Sequence, residues 1–237
     1  MLLIVRVVIV EDLLRSITNL KKQVVKPAST NPKPRAYPLL CPTIYFLNKS
    51  NSKFLCIGLH CHSGFSPIVQ VSGCKNDRVI FDEFEWGQVL AQQGVISSFF
   101  WGNENIALFQ PIKINAKYIT FQTINGKKVI KIQEQGGVEV FLGVESVTEL
   151  WDLLNVIQYR LQILKALEFH TFYTSLVKGV ATLPGDIRSN IENVIAPLKE
   201  AKSENACCML EMLKYGYEIL MCDIQMEAIA QTTNFEV

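Results

Sequence analysis

The chain has 237 residues, of which 49% are hydrophobic and 19% charged, and its formal net charge is +1. This composition is typical of a globular protein and excludes collagen, a long coiled coil and an intrinsically disordered chain. The longest apolar stretch, Leu2 to Val10, is interrupted by Arg6 and is shorter than the roughly 18 residues that a membrane span requires, so we predict a strand there and no membrane partner.

Charge is separated along the chain. Residues 1–76 contain ten Lys or Arg and two acidic residues, which leaves 13 basic and 20 acidic residues in 77–237. A basic half joined to an acidic body is typical of proteins that bind a polyanion. The alternative is that the basic half docks on the acidic half.

The first segment, residues 1–41, is predicted to hold the N-terminal strand followed by a basic arm. Residues 21–38 contain four prolines, five Lys or Arg and no acid. Proline removes a backbone donor and disrupts a helix interior, so this stretch is expected to be extended.

Two similar modules follow, in residues 42–100 and 105–168. Residues 53–71 read KFLCIGLHCHSGFSPIVQV and residues 117–132 read KYITFQTINGKKVIKI. Each has a Lys-aromatic start, an alternating strand, a turn with glycine and a second alternating strand, at an offset of about 61 to 64 residues. With a leading strand at Thr43 to Leu47 or at Ile106 to Ile114, each module is predicted to be four strands and one helix.

Local motifs support each module separately. Asn125-Gly126 between two alternating runs favours a tight hairpin, because both central residues of that turn need positive φ. Asp82 with Glu85 three residues later is typical of a helix capping box. In the second module an apolar stripe from Val147 to Leu164 predicts the helix.

Residues 169–237 are predicted to be helical. Asp186 is a candidate cap for a short helix, and Ser203 for a longer one whose apolar stripe runs from Ala206 to Ile224. The stripe is interpreted as core, or otherwise as a surface for self-association or a protein partner.

The seven cysteines are odd in number and irregular in spacing, which favours buried free thiols and a reducing compartment, the nucleus or cytoplasm. His60, Cys61 and His62, near Cys56 and Cys74, are zinc-ligand types. Alternation along a strand directs Cys61 away from both histidines, so neither a metal nor another cofactor is predicted.

The segments DRVIFDEFEWGQVL and KYITFQTINGKKVIKIQEQGGVEVFLGVESVTELWDLL resemble the positive cofactor four family of transcriptional coactivators, whose members bind single-stranded DNA. The resemblance covers Lys53 to Gln92 and Lys117 to about Leu164. It implies an α+β fold in which two β-β-β-β-α modules with curved antiparallel sheets form an intramolecular pseudo-dimer, with the C-terminal helical region added.

The same resemblance implies that basic and aromatic strand residues contact nucleic acid. These are Lys53, Phe54, Lys75 and Arg78 in the first module and Lys117, Tyr118, Phe121, Lys127, Lys128 and Lys131 in the second. The family's Arg after the second hairpin strand is replaced by Ser72 and Gln133, and the basic turn before the last strand is Gln135-Gly136-Gly137 in copy two. We therefore expect unequal grooves.

The chemistry of the second module is independently suited to single-stranded nucleic acid, which needs a basic groove and aromatic faces for base stacking. Tyr118 and Phe121 lie on opposite faces of a strand, so only one of them is expected to stack on bases. We predict a non-enzymatic protein that binds single-stranded nucleic acid, most simply DNA, in replication or transcription. The alternative is a protein-interaction scaffold that keeps the fold without binding nucleic acid. No phosphate-binding loop, metalloprotease or hydrolase motif indicates an enzyme.

Overall fold

The computed structural model describes residues 39–73, 77–103 and 105–233. The predicted N-terminal strand, the basic arm and Lys75 lie outside the described residues. The fold is α+β, with two antiparallel four-stranded sheets, each followed by helices, and a helical C-terminal region. The predicted fold class is therefore confirmed.

Both sheets are simple meanders with the strands in chain order. The first module comprises β1 (Leu40–Phe46), β2 (Phe54–His60), β3 (Ser66–Ser72), β4 (Arg78–Asp82), α1 (Glu83–Ala91) and α2 (Gln93–Trp101). The second comprises β5 (Ile112–Ile114), β6 (Lys117–Ile124), β7 (Lys127–Glu134), β8 (Glu139–Gly143), α3 (Val144–Asp152) and α4 (Leu154–Ala166).

Two details differ from the predicted modules. Each sheet is followed by two consecutive helices rather than one, because the backbone leaves the helix after Ala91 and again after Asp152. The leading strand of the second module is only β5, since Ile106–Leu108 forms a 3-10 turn. The Asn105 side chain accepts the Ala107 N–H at 3.0 Å and stabilises that turn, and Pro111 has no N–H for a strand ladder.

The local motifs are present as predicted. Asp82 accepts the Glu85 backbone N–H at 2.7 Å, and the Glu85 carboxylate accepts the Asp82 N–H at 3.2 Å, which completes the capping box. Asn125 and Gly126 both have positive φ, 51° and 74°, between β6 and β7. These motifs fix where α1 begins and where the β6–β7 hairpin turns.

The two modules share one hydrophobic core. Apolar residues from the inner faces of both sheets and from α1 and α3 enclose a narrow space between the modules, including Phe81, Trp86, Ile119, Leu142 and Val147. β4 lies against β7 and β8 of the other module. The modules are thus joined as a pseudo-dimer within a single chain.

The C-terminal region contains α5 (Phe169–Ala181), α6 (Ile187–Ile195), α7 (Glu204–Tyr215) and α8 (Tyr217–Thr233). Asp186 and Ser203 cap α6 and α7 as predicted. The long predicted helix is divided at Gly216 into α7 and α8. α5 packs on α8, α6 and α7, while α7 lies against β1, so this region closes over the first module.

A disulfide joins Cys41 of β1 to Cys208 of α7, 167 residues apart in sequence. The sequence predicts buried free thiols. This is wrong for Cys41 and Cys208, because spacing along the chain carries no information about so distant a contact, and it is wrong for Cys207 and Cys222, which are exposed. Within the described residues, Cys56, Cys61, Cys207 and Cys222 are free.

None of the helices in the described part of the chain has the length and hydropathy to cross a bilayer.

Candidate nucleic-acid interface

The second sheet has one face in the core and one toward solvent. Ile119, Ile130 and Ile132 are buried on the inner face, each at most 3% exposed. Because side chains alternate along a strand, the residues between them lie on the opposite face. Strand pairing then determines which of those residues are neighbours.

We call the solvent-facing surface of this sheet the lysine face. It consists of Lys113, Tyr118, Thr120, Gln122, Ile124, Lys127, Val129, Lys131, Gln133, Glu139, Phe141 and Gly143. Three lysines and one glutamate give this surface a local charge of +2. The carboxylate is not remote from the lysines, since Glu139 lies 3.5 Å from the Lys131 ammonium group.

The central pairs of the lysine face combine cations with rings. Tyr118 on β6 is opposite Lys113 on β5, and its side chain is 40% exposed. Lys131 on β7 is opposite Phe141 on β8. A basic strand surface with an exposed ring is the arrangement by which single-stranded nucleic acid is held, phosphates by cations and bases by stacking.

Lys117 is not on this surface. It is 6% exposed, and its Nζ lies 2.7 and 2.8 Å from the two carboxylate oxygens of Glu85 in α1. The ammonium group also lies 5.6 Å above the Phe81 ring and 3.9 Å from Glu134. Lys117 is therefore buried at the junction of the two modules, and its ammonium group is not part of the lysine face.

Phe121 and Lys128 also face the core side. The Phe121 ring packs 4.9 Å from that of Phe99 and 5.2 Å from that of Phe109. Lys128 donates to the Gly102 carbonyl at 2.9 Å and lies 5.6 Å above the Phe99 ring. Phe121 therefore packs in an aromatic cluster, and Lys128 binds the carbonyl at the C-terminal end of α2. Of the second-module residues predicted from the resemblance, Tyr118, Lys127 and Lys131 remain on the lysine face.

The outer face of the first sheet has a different character and is partly covered, since Leu39, Cys56 and Ile68 form a buried cluster on it. Phe54 and Arg78 lie on it, flanking Ser72, and the Phe54 ring packs edge-on 6.3 Å from that of Phe46. Phe46 and Ile44 are 50% and 52% exposed. This surface is mainly apolar, with Arg78 as its basic residue within the described part of the chain.

Lys53 is half-buried and precedes β2. Its Nζ lies 3.3 Å from the position that a Cβ on Gly73 would take, so its side chain extends along the sheet edge toward the end of β3. Lys53 therefore does not contribute to a continuous basic surface with Phe54 and Arg78. Among the described residues, the outer face of the second sheet thus carries lysines and that of the first is mainly apolar, and the inequality of two nucleic-acid grooves stays a prediction.

The structure describes His60, Cys61 and His62, but not Cys74 of the same cluster. The His60 and His62 rings lie 5.8 Å apart edge-on, and His60 Nδ1 is 3.0 Å from the Ser63 hydroxyl. Burial lowers the pKa of His60, and the neighbouring His62 and Arg78 lower it further. Among the described residues, the His, Cys, Asp and Glu side chains with metal-ligand spacing are Cys41, Cys207 and Glu211.

Lys113 and Phe141 were not singled out from the sequence, although both lie on the lysine face. Strand β5 has three residues and pairs with β6 across the turn at Asn115. With these bounds, alternation places Lys113 on the outer face. Phe141 lies between buried Val140 and Leu142, and its outward direction follows from the same alternation.

No protein-family model, curated protein or solved structure matches this chain.

Proposed function

We propose that the chain binds single-stranded nucleic acid, DNA in the first instance, through the lysine face of its second sheet. The observation that carries the proposal is that Lys113, Lys127 and Lys131 lie with an exposed tyrosine on one solvent-facing surface. The binding tolerates different base sequences, because cations contact phosphates and a ring stacks on any base. No bond-breaking step is part of the proposal.

The spacing of the lysines suits an extended strand. Lys113 and Lys131 are two strand spacings apart and offset by two residues along the strands, about 12 Å in all, and Lys127 and Lys131 are four residues apart on β7, about 13 Å. Tyr118 lies between β5 and β7. A nucleic-acid strand crossing the sheet can therefore place phosphates near all three cations while one base stacks on Tyr118.

The test is a salt titration of binding to a labelled mixed-sequence 20-nucleotide DNA, followed by fluorescence anisotropy. Each phosphate contact in a single strand changes log K by about 0.7 per unit of log salt, so three lysines account for a slope of about 2. We expect K113A/K127A/K131A to lower the steepness of the salt dependence by about 2 and to weaken binding at low salt.

The matched control is K178A/K199A/K202A, which removes the same charge from exposed lysines of the C-terminal region. It should leave the slope within about 0.7 of wild type, the change expected for a single phosphate contact. Equal losses in the two triple variants would mean that net charge alone governs binding, and the proposed interface would be rejected. Duplex DNA and single-stranded RNA as competitors then identify the preferred partner.

The protein-interaction scaffold remains the second candidate, favoured by exposed apolar residues away from the lysine face. Ile44 and Phe46 are half-exposed on the first sheet, and Met226 on α8 is 61% exposed. Light scattering during size-exclusion chromatography would detect self-association. Loss of a dimer in I44S/F46S, together with salt-insensitive DNA binding, would support the scaffold over nucleic-acid binding.

The resemblance to transcriptional coactivators favours transcription or replication as the process, and the free cysteines among the described residues favour a reducing compartment, the nucleus or cytoplasm, as the location. Single strands are exposed in both processes when a duplex opens. The proposal predicts that the purified protein prefers a single strand to a duplex of the same sequence.

A further inference from the structure

Three potential metal ligands converge where β1 meets α7. The Cys41 and Cys207 sulfurs and a Glu211 carboxylate oxygen all lie within 4.8 Å of one another. Cys41 is also bonded to Cys208 on the same helix. We propose that Cys41, Cys207 and Glu211 bind a thiolate-preferring divalent cation of the zinc class when the Cys41–Cys208 disulfide is reduced.

The backbone of β1 is arranged to direct Cys41 toward α7. Leu40 pairs with Leu59 and Thr43 pairs with Ile57, so β1 contains one extra residue and the strand has a bulge. Cys41 lies at that bulge with a φ of 47°, in the left-handed region that non-glycine residues rarely adopt. Bulges redirect side chains, and strained backbone of this kind is concentrated at functional sites.

Neighbouring groups hold this unusual conformation in place. The Cys41 N–H donates to the Glu211 carboxylate, and Arg160 donates to the Cys41 carbonyl at 3.1 Å. The Cys41 sulfur also lies 3.8 Å from the Glu204 carbonyl. Both backbone polar groups of Cys41 therefore have partners on α4 or α7, and its sulfur is fixed against α7.

The two ligands on α7 are correctly spaced for one ion. Cys207 and Glu211 are four residues apart, so they lie on the same face of the helix, one turn apart. Cys207 is exposed and Glu211 is half-buried, which gives an ion direct access from solvent. Cys208 points from the adjacent helix position into the core and is 0% exposed.

The chemistry of these ligands selects zinc over magnesium or calcium. Zinc binds thiolate at about 2.3 Å and carboxylate oxygen at about 2.0 to 2.2 Å in tetrahedral geometry, which places two sulfurs about 3.8 Å apart. The three ligand atoms lie within 4.8 Å of one another, so small side-chain rotations can bring them to this geometry. Two thiolates disfavour hard cations that prefer oxygen ligands.

The disulfide and the ion exclude each other. A dithiol reductant donates two electrons and two protons to the Cys41–Cys208 bond, which breaks to give two thiols while the reductant becomes a disulfide. Coordination then releases the proton of each thiol that binds zinc. Cys208, freed by reduction, or a water molecule completes the fourth position. Either the disulfide or the metal thus links β1 to α7.

The experiment compares the full chain in its oxidised and its reduced state. The reduced state is prepared with a dithiol, which is then removed in the absence of oxygen. Zn²⁺ is titrated in competition with a chromophoric chelator, and Co²⁺ is used to detect thiolate-to-cobalt charge-transfer absorption. We expect one equivalent of Zn²⁺ to bind the reduced chain, with the cobalt band present, and none to bind the oxidised chain.

The variants C207S and E211Q should each weaken Zn²⁺ binding by at least about tenfold. Removing only a hydrogen-bond partner of a metal ligand already costs about 10–100-fold in affinity, and these variants remove a ligand itself. C222S is the matched control, because Cys222 is also an exposed free thiol on a C-terminal helix. It should bind Zn²⁺ like wild type. Absence of binding to the reduced chain, equal binding in both redox states, or equal loss in C222S and C207S would each overturn the proposal.

Discussion

Replacing Lys117 by Met should destabilise the fold and leave DNA binding intact. The Lys117 and Glu85 side chains are each 8% exposed, and they meet at 2.7 Å. Removing the ammonium group leaves the Glu85 carboxylate buried without its charge partner, for which the expected loss in the free energy of unfolding is about 3–5 kcal/mol. Since the total for a folded protein is about 5–15 kcal/mol, such a change is readily measured.

Urea unfolding followed by tryptophan fluorescence is a suitable assay, because Trp86 in α1 is 3% exposed and next to Glu85. The double variant E85Q/K117M removes both charges, and Gln at position 85 can still complete the capping box with Asp82. We expect it to recover most of the stability lost in K117M. The reasoning is refuted if K117M lies within 1 kcal/mol of wild type or if the double variant is no more stable than K117M.

The remaining predictions concern the lysine face and two glycines. Y118A should weaken single-stranded DNA binding by about 1–3 kcal/mol, whereas Y118F should bind like wild type, since the ring and not the hydroxyl stacks; equal anisotropy isotherms for Y118A and wild type would exclude stacking. E139Q should tighten binding by roughly two- to fivefold, because an exposed ion pair of about 0.2–1 kcal/mol no longer competes for Lys131; unchanged or weaker binding would contradict this. G58A should lower the free energy of unfolding by about 1–3 kcal/mol, because a Cβ there would lie 2.8 Å from a backbone oxygen. G87A should raise the free energy of unfolding by about 0.5–1 kcal/mol, because a Cβ at that helical position would meet open space. If urea unfolding shows both glycine variants changing stability in the same direction, this reasoning is wrong.

The local parts of the fold could be read from the sequence because their causes are local. The Asn125-Gly126 turn requires two positive φ angles, and these two residue types tolerate them. The box formed by Asp82 and Glu85 needs only one turn of helix. Such motifs, together with alternation, give the order of strands and helices within each module.

The site could be predicted only in part, because its assignment depends on contacts between distant segments. Alternation places Lys117 and Phe121 on the same face of β6, but it does not say which face is covered. Glu85 makes burial of Lys117 possible, and it belongs to the other module, 32 residues earlier. The Cys41–Cys208 bond is a more extreme case, since its partners are 167 residues apart.

The two modules carry different side chains at the third residue of their first helices. Glu85 is the third residue of α1, and Ser146 is the third residue of α3; both are buried, at 6% and 4% exposure. The first module thus supplies a carboxylate to Lys117 of the second, while the equivalent position of the second offers a hydroxyl-bearing side chain. The inner faces are constrained by the core that they share.

The outer faces do not contribute to the shared core, although Leu39, Cys56 and Ile68 form a separate buried cluster on that of the first sheet. One outer face has three lysines and an exposed tyrosine, while the other has Ile44 and Phe46 half-exposed. A strand of nucleic acid needs charge neutralisation over several phosphates, which a single arginine on an apolar surface does not supply. If the proposed function is correct, the two modules keep a common fold and differ in their outer faces, with one sheet binding a polyanion and the other presenting an apolar surface.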